Sequence, residues 1–342
     1  GFRVIHADRC YLCKRSTRGN SFIKIAFHVD DNLIAAKGNA FYQAYLDRLR
    51  RTFDIKEGPL DAHLGVTYHW GRDKDGHRTV ELCQKAQARK VLEQFGMENC
   101  TPSAVPTVPG SQPTAEDCRK EGEPAIDFDM QGLVGHMQYL YMCTRPDLGY
   151  ALKVLSRYTT NFGKKHVDYA KHLLRYLRHT VAKRMKYSAA FADAMFLQIF
   201  TDASHASDPD TRRSIMSVAV KLGGNTIYWK NHFTSIVSHS STESELMALD
   251  QGATLSEAMR WLLEALDGPT SEDQEDIQIY VDNAGTLQIA NNPVQPGRNL
   301  HVHARYYYVR DLVYLGKVST LKIGTDDQIA DVGSTLKRRA EA

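Results

Sequence analysis

Two apolar runs flank Asp30-Asp31 in residues 22–36, FIKIAFHVDDNLIAA, the pattern of a strand pair whose tight turn carries acids at its tip. A helix-compatible stretch follows at 40–53. HLGVTYHW (63–70) and HRTVELCQ (77–84) alternate as strands of a hairpin closed over GRDKDG. In KAQARKVLEQFGM (85–97), Ala88, Val91, Leu92 and Phe95 share one helical face and Gly96 is placed to stop the helix. Residues 101–126 hold five of the eleven prolines and predict a linker or long surface excursion. Helical spacing returns in QGLVGHMQYLYMC, in PDLGYALKVLSRYTTNF with Pro146 at a first helical position, and in VDYAKHLLRYLRHT.

After about residue 190 the pattern turns to strands: MFLQIFTDA, SIMSVAVKLGG and TIYWKNHF. A long helix over about 242–266 is predicted next, then a strand over 276–282, a short helix over 284–291, a helix over 301–315 and a strand over 318–324. No internal repeat is visible.

With 342 residues, 42% hydrophobic and 24% charged, the chain can bury two or three cores, at roughly 100–150 residues each. Its formal net charge is only +3, so a basic surface has to be local. Six scattered cysteines and no secretory segment predict free thiols in a reducing, intracellular setting. Cys10 and Cys13 have the gap of a metal knuckle, but no second pair follows at zinc spacing. No apolar run approaches the ~20 residues that span a bilayer, so no membrane association is expected.

Three groups of residues carry candidate chemistry. Adjacent Asp30 and Asp31 offer hard carboxylate oxygens to divalent cations, a site that needs a third carboxylate from elsewhere. Asp202 and Asp282 end predicted strands and Glu245 lies early on the long helix; an acid at the end of a buried strand is costly unless paired or metal-bound. Glu243 competes with Glu245, since the two sit on opposite shoulders of the apolar face and periodicity does not choose between them. Arg175, Arg178, Lys183, Arg184 and Lys186, on one helix and its exit, could follow a phosphate backbone or simply form a solvated face. Trp229 and Tyr306-Tyr307-Tyr308 could stack on bases, or be core.

FHVDDNLIAA, CTRPDLGYALKVLSRY, SSTESELMAL and IYVDNAGTLQIANN, in that order, resemble the reverse transcriptase and ribonuclease H region of copia-type retrotransposon Pol polyproteins. The likeness runs from Ala7-Asp8-Arg9-Cys10 to Gln328-Ile329-Ala330-Asp331, close to the family's Gln-Leu-Ala-Asp. It implies an α+β to α/β chain: a partial polymerase palm (1–57), thumb and connection (58–190, with the Pro-rich linker 101–126), and a ribonuclease H-like mixed sheet with helices (191–338). It assigns Asp30 and Asp31 to the polymerase metals, and Asp202, Glu245 and Asp282 to the first three of four ribonuclease H acids. Magnesium, or manganese, is the implied ion. Template–primer or an RNA–DNA hybrid is the implied partner, with an upstream part of Pol as another, in a cytoplasmic particle or the nucleus.

The chain departs from the family pattern where Tyr-Val-Asp-Asp becomes His28-Val29-Asp30-Asp31, and where His303 stands at the aspartate of Lys-His-Ile-Asp. Neutral imidazole is a poor magnesium ligand, so a weakened nuclease is expected. Because the family-like sequence begins at Gly1 without the first palm aspartate, a C-terminal portion of a larger product or a truncated element is expected, with no polymerase activity of its own.

Overall fold

The structure, a computed structural model, describes residues 2–5, 8–17, 19–108, 110–192, 196–266, 276–292 and 305–331. The chain divides into two compact units, Gly1–Tyr68 with Glu257–Gln274, and His69–Ser256 with Glu275–Ala342.

In the smaller unit β1 (Arg3–Ile5), β2 (Asp8–Arg15), β3 (Phe22–His28) and β4 (Asp31–Lys37) form an antiparallel sheet in sequence order. Helix α1 (Asn39–Arg50) packs on β3 and β4. Period-two alternation accounts for β3, where Ile23 and Ile25 are fully buried; Leu46 of the helix is buried as well. β1 and β2 were not legible, because DRCYLCKR mixes charged and apolar residues without alternation. Cys10 is exposed and Cys13 buried on β2, so their side chains leave opposite faces and form no knuckle. The short strand β5 (Ala62–His63) pairs with the start of β6 (Val66–Arg72), which runs across the division at Tyr68.

In the larger unit β7 (Arg78–Cys83) leads into α2 (Lys85–Gln94), and after the linker come α3 (Met130–Cys143), α4 (Gly149–Leu155) and α5 (Lys164–His179). Their apolar faces close one core around Leu133, Met137, Leu140, Leu155, Leu173 and Leu177. The helix expected through Phe162 ends at Leu155. The Ser/Thr/Asn run that follows favours turns, and Arg157 and Tyr158 turn out to bind Asp208 and Asp210. The linker is irregular except for one 3-10 turn, Ala115–Asp117, whose Ala115 N–H donates to Asp210 (3.0 Å). Arg175 and Arg178 lie on α5, but Lys186 belongs to a strand, β8 (Met185–Ser188), paired antiparallel with β7.

The second sheet of this unit is mixed: β9 (Leu197–Ser204), β10 (Ile215–Leu222), β11 (Asn225–Phe233), β12 (Ile277–Val281) and β13 (Val318–Lys322), ordered β11-β10-β9-β12-β13. β12 runs parallel to both β9 and β13, and the other pairs are antiparallel. Helix α6 (Ser241–Ala265) follows β11, α7 (Ala284–Asn291) follows β12, and α8 (Arg305–Tyr314) precedes β13. The mixed sheet with flanking helices is the ribonuclease H-like arrangement that the resemblance implied. A Cβ at Gly252 would lie 2.6 Å from Thr201 Cγ2, so glycine is what lets α6 approach β9 closely.

Candidate metal centre

Three elements deliver the acid cluster. Asp202 is the sixth residue of β9, opposite Ser217 on β10, and Asp282 immediately follows β12 on the parallel neighbouring strand. Asn283 caps α7 by accepting from Thr286 N (3.0 Å), which fixes the chain direction just after Asp282. Glu245 enters from the first turns of α6. One oxygen from each of the three carboxylates lies within 4.8 Å of the others.

Hydrogen bonds separate the two glutamates. Ser240 accepts from Glu243 N (3.1 Å) while Glu243 Oε2 accepts from His239 N (2.6 Å), so Glu243 is spent on capping the helix. Glu245 Oε1 accepts from Ala203 N (3.3 Å), beside Asp202, and its buried Oε2 has no hydrogen-bond partner among the described residues. A buried, unpartnered carboxylate oxygen facing two more carboxylates fits a divalent cation.

A fourth carboxylate stands near these three. Asp331 is buried, and its charge acts on Glu245. Gln328, fully buried, donates from its side-chain amide to Thr201 O (3.0 Å), one residue before Asp202, and its backbone carbonyl accepts from Asp331 N (3.3 Å). The Gln-Ile-Ala-Asp string is thereby tied to β9. In the sequence that string marks only the end of the family likeness, and nothing local in it sets Asp331 apart. His303 lies outside the described residues.

Burial first, and then the charges of Asp202 and Asp282, push the Glu245 carboxyl up to about 9. Its folded pKa therefore exceeds the ordinary 4.5, and between these values the folded chain holds a proton that the unfolded chain has lost. Without metal, stability should fall as pH rises through that window. Glu245→Gln, which carries no charge, is expected to be the more stable protein by roughly 2 kcal/mol near pH ~8, with the gap closing toward pH ~5. Urea unfolding in EDTA at both pH values measures this, and a gap that does not change with pH would contradict it.

Asp30 and Asp31 occupy the β3–β4 turn, both exposed, with His28 paired opposite Asp31. Val29, 85% exposed, adopts φ 50° there, an unfavourable conformation for a β-branched residue in a plain turn. Among the described residues no third ligand joins the two aspartates at metal-binding distance.

A second group, Asp73, Asp75 and His77, lies in the β6–β7 turn. Asp73 Oδ1 accepts from Asp75 N (3.0 Å) and His77 N (2.9 Å), which is the work of a turn residue.

Of the basic residues, Arg184 pairs with Glu81 (2.9 Å); Arg175 and Lys186 are exposed, and Arg178 and Lys183 half-buried. Trp229 packs against the helical core. Tyr307 and Tyr308 of α8 are partly exposed. No helix among the described residues is long and apolar enough to cross a membrane.

No family model matches the chain. It is 29% identical over 332 residues to the retrovirus-related Pol polyprotein from transposon TNT 1-94 of Nicotiana tabacum, a match covering 96% of this chain and 24% of that protein. To the retrovirus-related Pol polyprotein from transposon RE2 of Arabidopsis thaliana it is 30% identical over 315 residues, covering 92% of this chain and 21% of that protein. The chain thus spans less than a quarter of the length of these curated relatives. Ribonuclease H1 of Halobacterium salinarum is similar at 10% identity with TM-score 0.30, over 39% of this chain and 89% of that one; the fold assignment rests on strand order and register instead. End-to-end likeness to transposon Pol proteins, with the family's strings in family order, marks the chain as a retrotransposon Pol fragment that resembles the reverse transcriptase and ribonuclease H region of copia-type elements.

Proposed function

We propose that the larger unit cleaves the RNA strand of RNA–DNA hybrids with two magnesium or manganese ions. One ion would activate water against the phosphodiester and the other would stabilise the leaving oxygen. The convergence of Asp202, Glu245 and Asp282 carries this reading. Residues 191–338 form the ribonuclease H-like domain in this proposal. Residues 1–57 are part of a palm, with Asp30 and Asp31 as its metal ligands, and 58–190 are thumb and connection. Arg175, Arg178, Lys183, Arg184 and Lys186 contact the nucleic-acid backbone.

A labelled RNA–DNA hybrid incubated with the purified chain tests it. Cleavage should require the divalent ion and stop with EDTA. Folded protein that is silent in both magnesium and manganese would favour the second reading, a nucleic-acid-binding remnant, for which His303 at the family's aspartate is the motive.

His303 and Asp331 compete for the fourth ligand place. Asp331→Asn is expected to lower magnesium-dependent cleavage about tenfold or more, since it removes an anion that helps offset two divalent charges. His303→Asp is the companion measurement. A gain in magnesium would show that His303 impairs the site, and no change would leave the fourth place to Asp331. Undiminished cleavage by Asp331→Asn would remove Asp331 from the site.

A further inference from the structure

The larger unit also encloses a cavity of about 520 Å³, bounded by the linker at 105–107, the ends of α3 and α5, the faces of β10 and β11, and residues 329–331. That volume lies within the range of small-ligand sites, roughly 300–1,000 Å³.

One wall is aromatic and held in place. Trp229 Nε1 donates to Tyr141 O (2.9 Å), the Tyr141 hydroxyl donates to Asn231 Oδ1 (2.8 Å), and the Tyr150 hydroxyl donates to Gln112 Oε1 (3.1 Å). These rings are locked before anything binds.

The cavity is also lined by Lys183, Lys186, Lys221 and Lys230, and no ion pair involves any of the four among the described residues. Of the lining carboxylates, Asp147 pairs with Arg145 (2.7 Å) and also feels the Lys183 charge, and the charge of Asp331 acts on Glu245. Positive charge accumulates further beside β11. Lys153 has its pKa lowered by burial and then by Lys230, and His232 is pushed down to about 4 by burial and by both lysines. Lys186, Lys221 and Lys230 have no carboxylate in an ion pair with them among the described residues, and a bound anion would offset their charge. An inorganic anion would leave the aromatic wall unfilled, whereas a nucleotide supplies both a flat ring and a phosphate.

We propose that this cavity binds one nucleotide, with its base on the wall of Tyr141, Tyr150 and Trp229 and its phosphate among Lys186, Lys221 and Lys230. The nucleotide is either free or a unit of a single strand. The proposal borrows from the nucleic-acid reading of the basic stretch only for that second source, and it needs no chemistry at the acid cluster.

The test is equilibrium binding by the full chain in EDTA, read by the anisotropy of a fluorescein-labelled oligo(dT) of ~10 nucleotides, with dTMP as competitor. The double change Lys221→Glu with Lys230→Glu is expected to weaken oligonucleotide binding tenfold or more and to flatten its dependence on salt, as loss of phosphate contacts does. Trp229→Leu is expected to weaken it by about tenfold through lost stacking. If either protein melts early by circular dichroism, Lys221→Gln and Lys186→Gln replace it. Asp202→Asn should bind like the parent.

Displacement by dTMP at micromolar concentration identifies a free-nucleotide site. Binding of the oligonucleotide without such displacement identifies a strand. A parent that binds neither probe, or folded lysine variants that bind as tightly as the parent, overturns the proposal whether or not the chain cleaves hybrid. A parent chain that binds the oligonucleotide but cleaves no hybrid in either magnesium or manganese would instead overturn the function proposed for the acid cluster.

Discussion

Asp202→Asn is expected to lower metal-dependent cleavage of an RNA–DNA hybrid by ~100-fold or more while leaving hybrid affinity in EDTA within about twofold. The side chain is buried near the end of β9, and the next backbone N–H donates to Glu245. Asparagine keeps the volume and one oxygen but removes a full negative charge from a place where two divalent cations must be neutralised. Hard cations depend on that charge more than on the shape of the ligand. Manganese, less demanding of purely anionic oxygen ligands, should recover part of the loss. The change also removes one of the three aspartate charges, those of Asp202, Asp282 and Asp331, that raise the Glu245 pKa, so Glu245 should ionise at lower pH in the variant. Rates in both metals and affinities in EDTA measure the effect. Cleavage within a few-fold of the parent would remove Asp202 from the metal site, and the proposed nuclease function would fall with it.

Much of this centre was legible because local rules and family order coincided. Asp202 and Asp282 each follow an apolar run, and a charge at the end of a buried strand needs a reason. The choice between Glu243 and Glu245 was also present in the sequence, though not in its periodicity. Ser240-Ser241-Thr242-Glu243 is a capping-box pattern, which commits the first glutamate to the helix terminus and leaves the second for the site. Asp331 was not legible in this way. Its position depends on Gln328 reaching Thr201, a contact across 127 residues that no local pattern encodes. Lys186 illustrates a different limit. Four residues of β8 sit at the exit of a strongly periodic helix, and only pairing with β7 makes them a strand. On the β3–β4 hairpin, by contrast, apolar runs on both sides of two acids left little choice of register.

The string CTRPDLGY, read in the sequence as a family signature, has a structural task that predicts the largest stability effect. Arg145 is 3% exposed and lies against Asp147 through Nε to Oδ1 (2.9 Å) and Nη2 to Oδ2 (2.7 Å). Its remaining donors reach Thr180 O (3.2 Å) and Thr180 Oγ1 (2.6 Å), and the Tyr176 hydroxyl donates to Asp147 Oδ2 (2.7 Å). The network ties the start of α4 to the end of α5. Burial alone would raise the Asp147 pKa, but the Arg145 charge and hydrogen bonds hold it below 3.8. With a depressed pKa, the contribution of the pair is complete above the unfolded value and is lost as pH falls through the folded one. Asp147→Ala is expected to destabilise the chain by about 3–5 kcal/mol near neutral pH, because it leaves a buried guanidinium without a counter-charge and a tyrosine hydroxyl without its acceptor. Replacing both partners with apolar residues, Arg145→Met with Asp147→Leu, should cost less than Asp147→Ala alone, since no buried charge is left behind. Urea unfolding of the three proteins decides the matter. A loss below about 1 kcal/mol for Asp147→Ala would mean that water reaches Arg145 and that the pair contributes no more than a surface one.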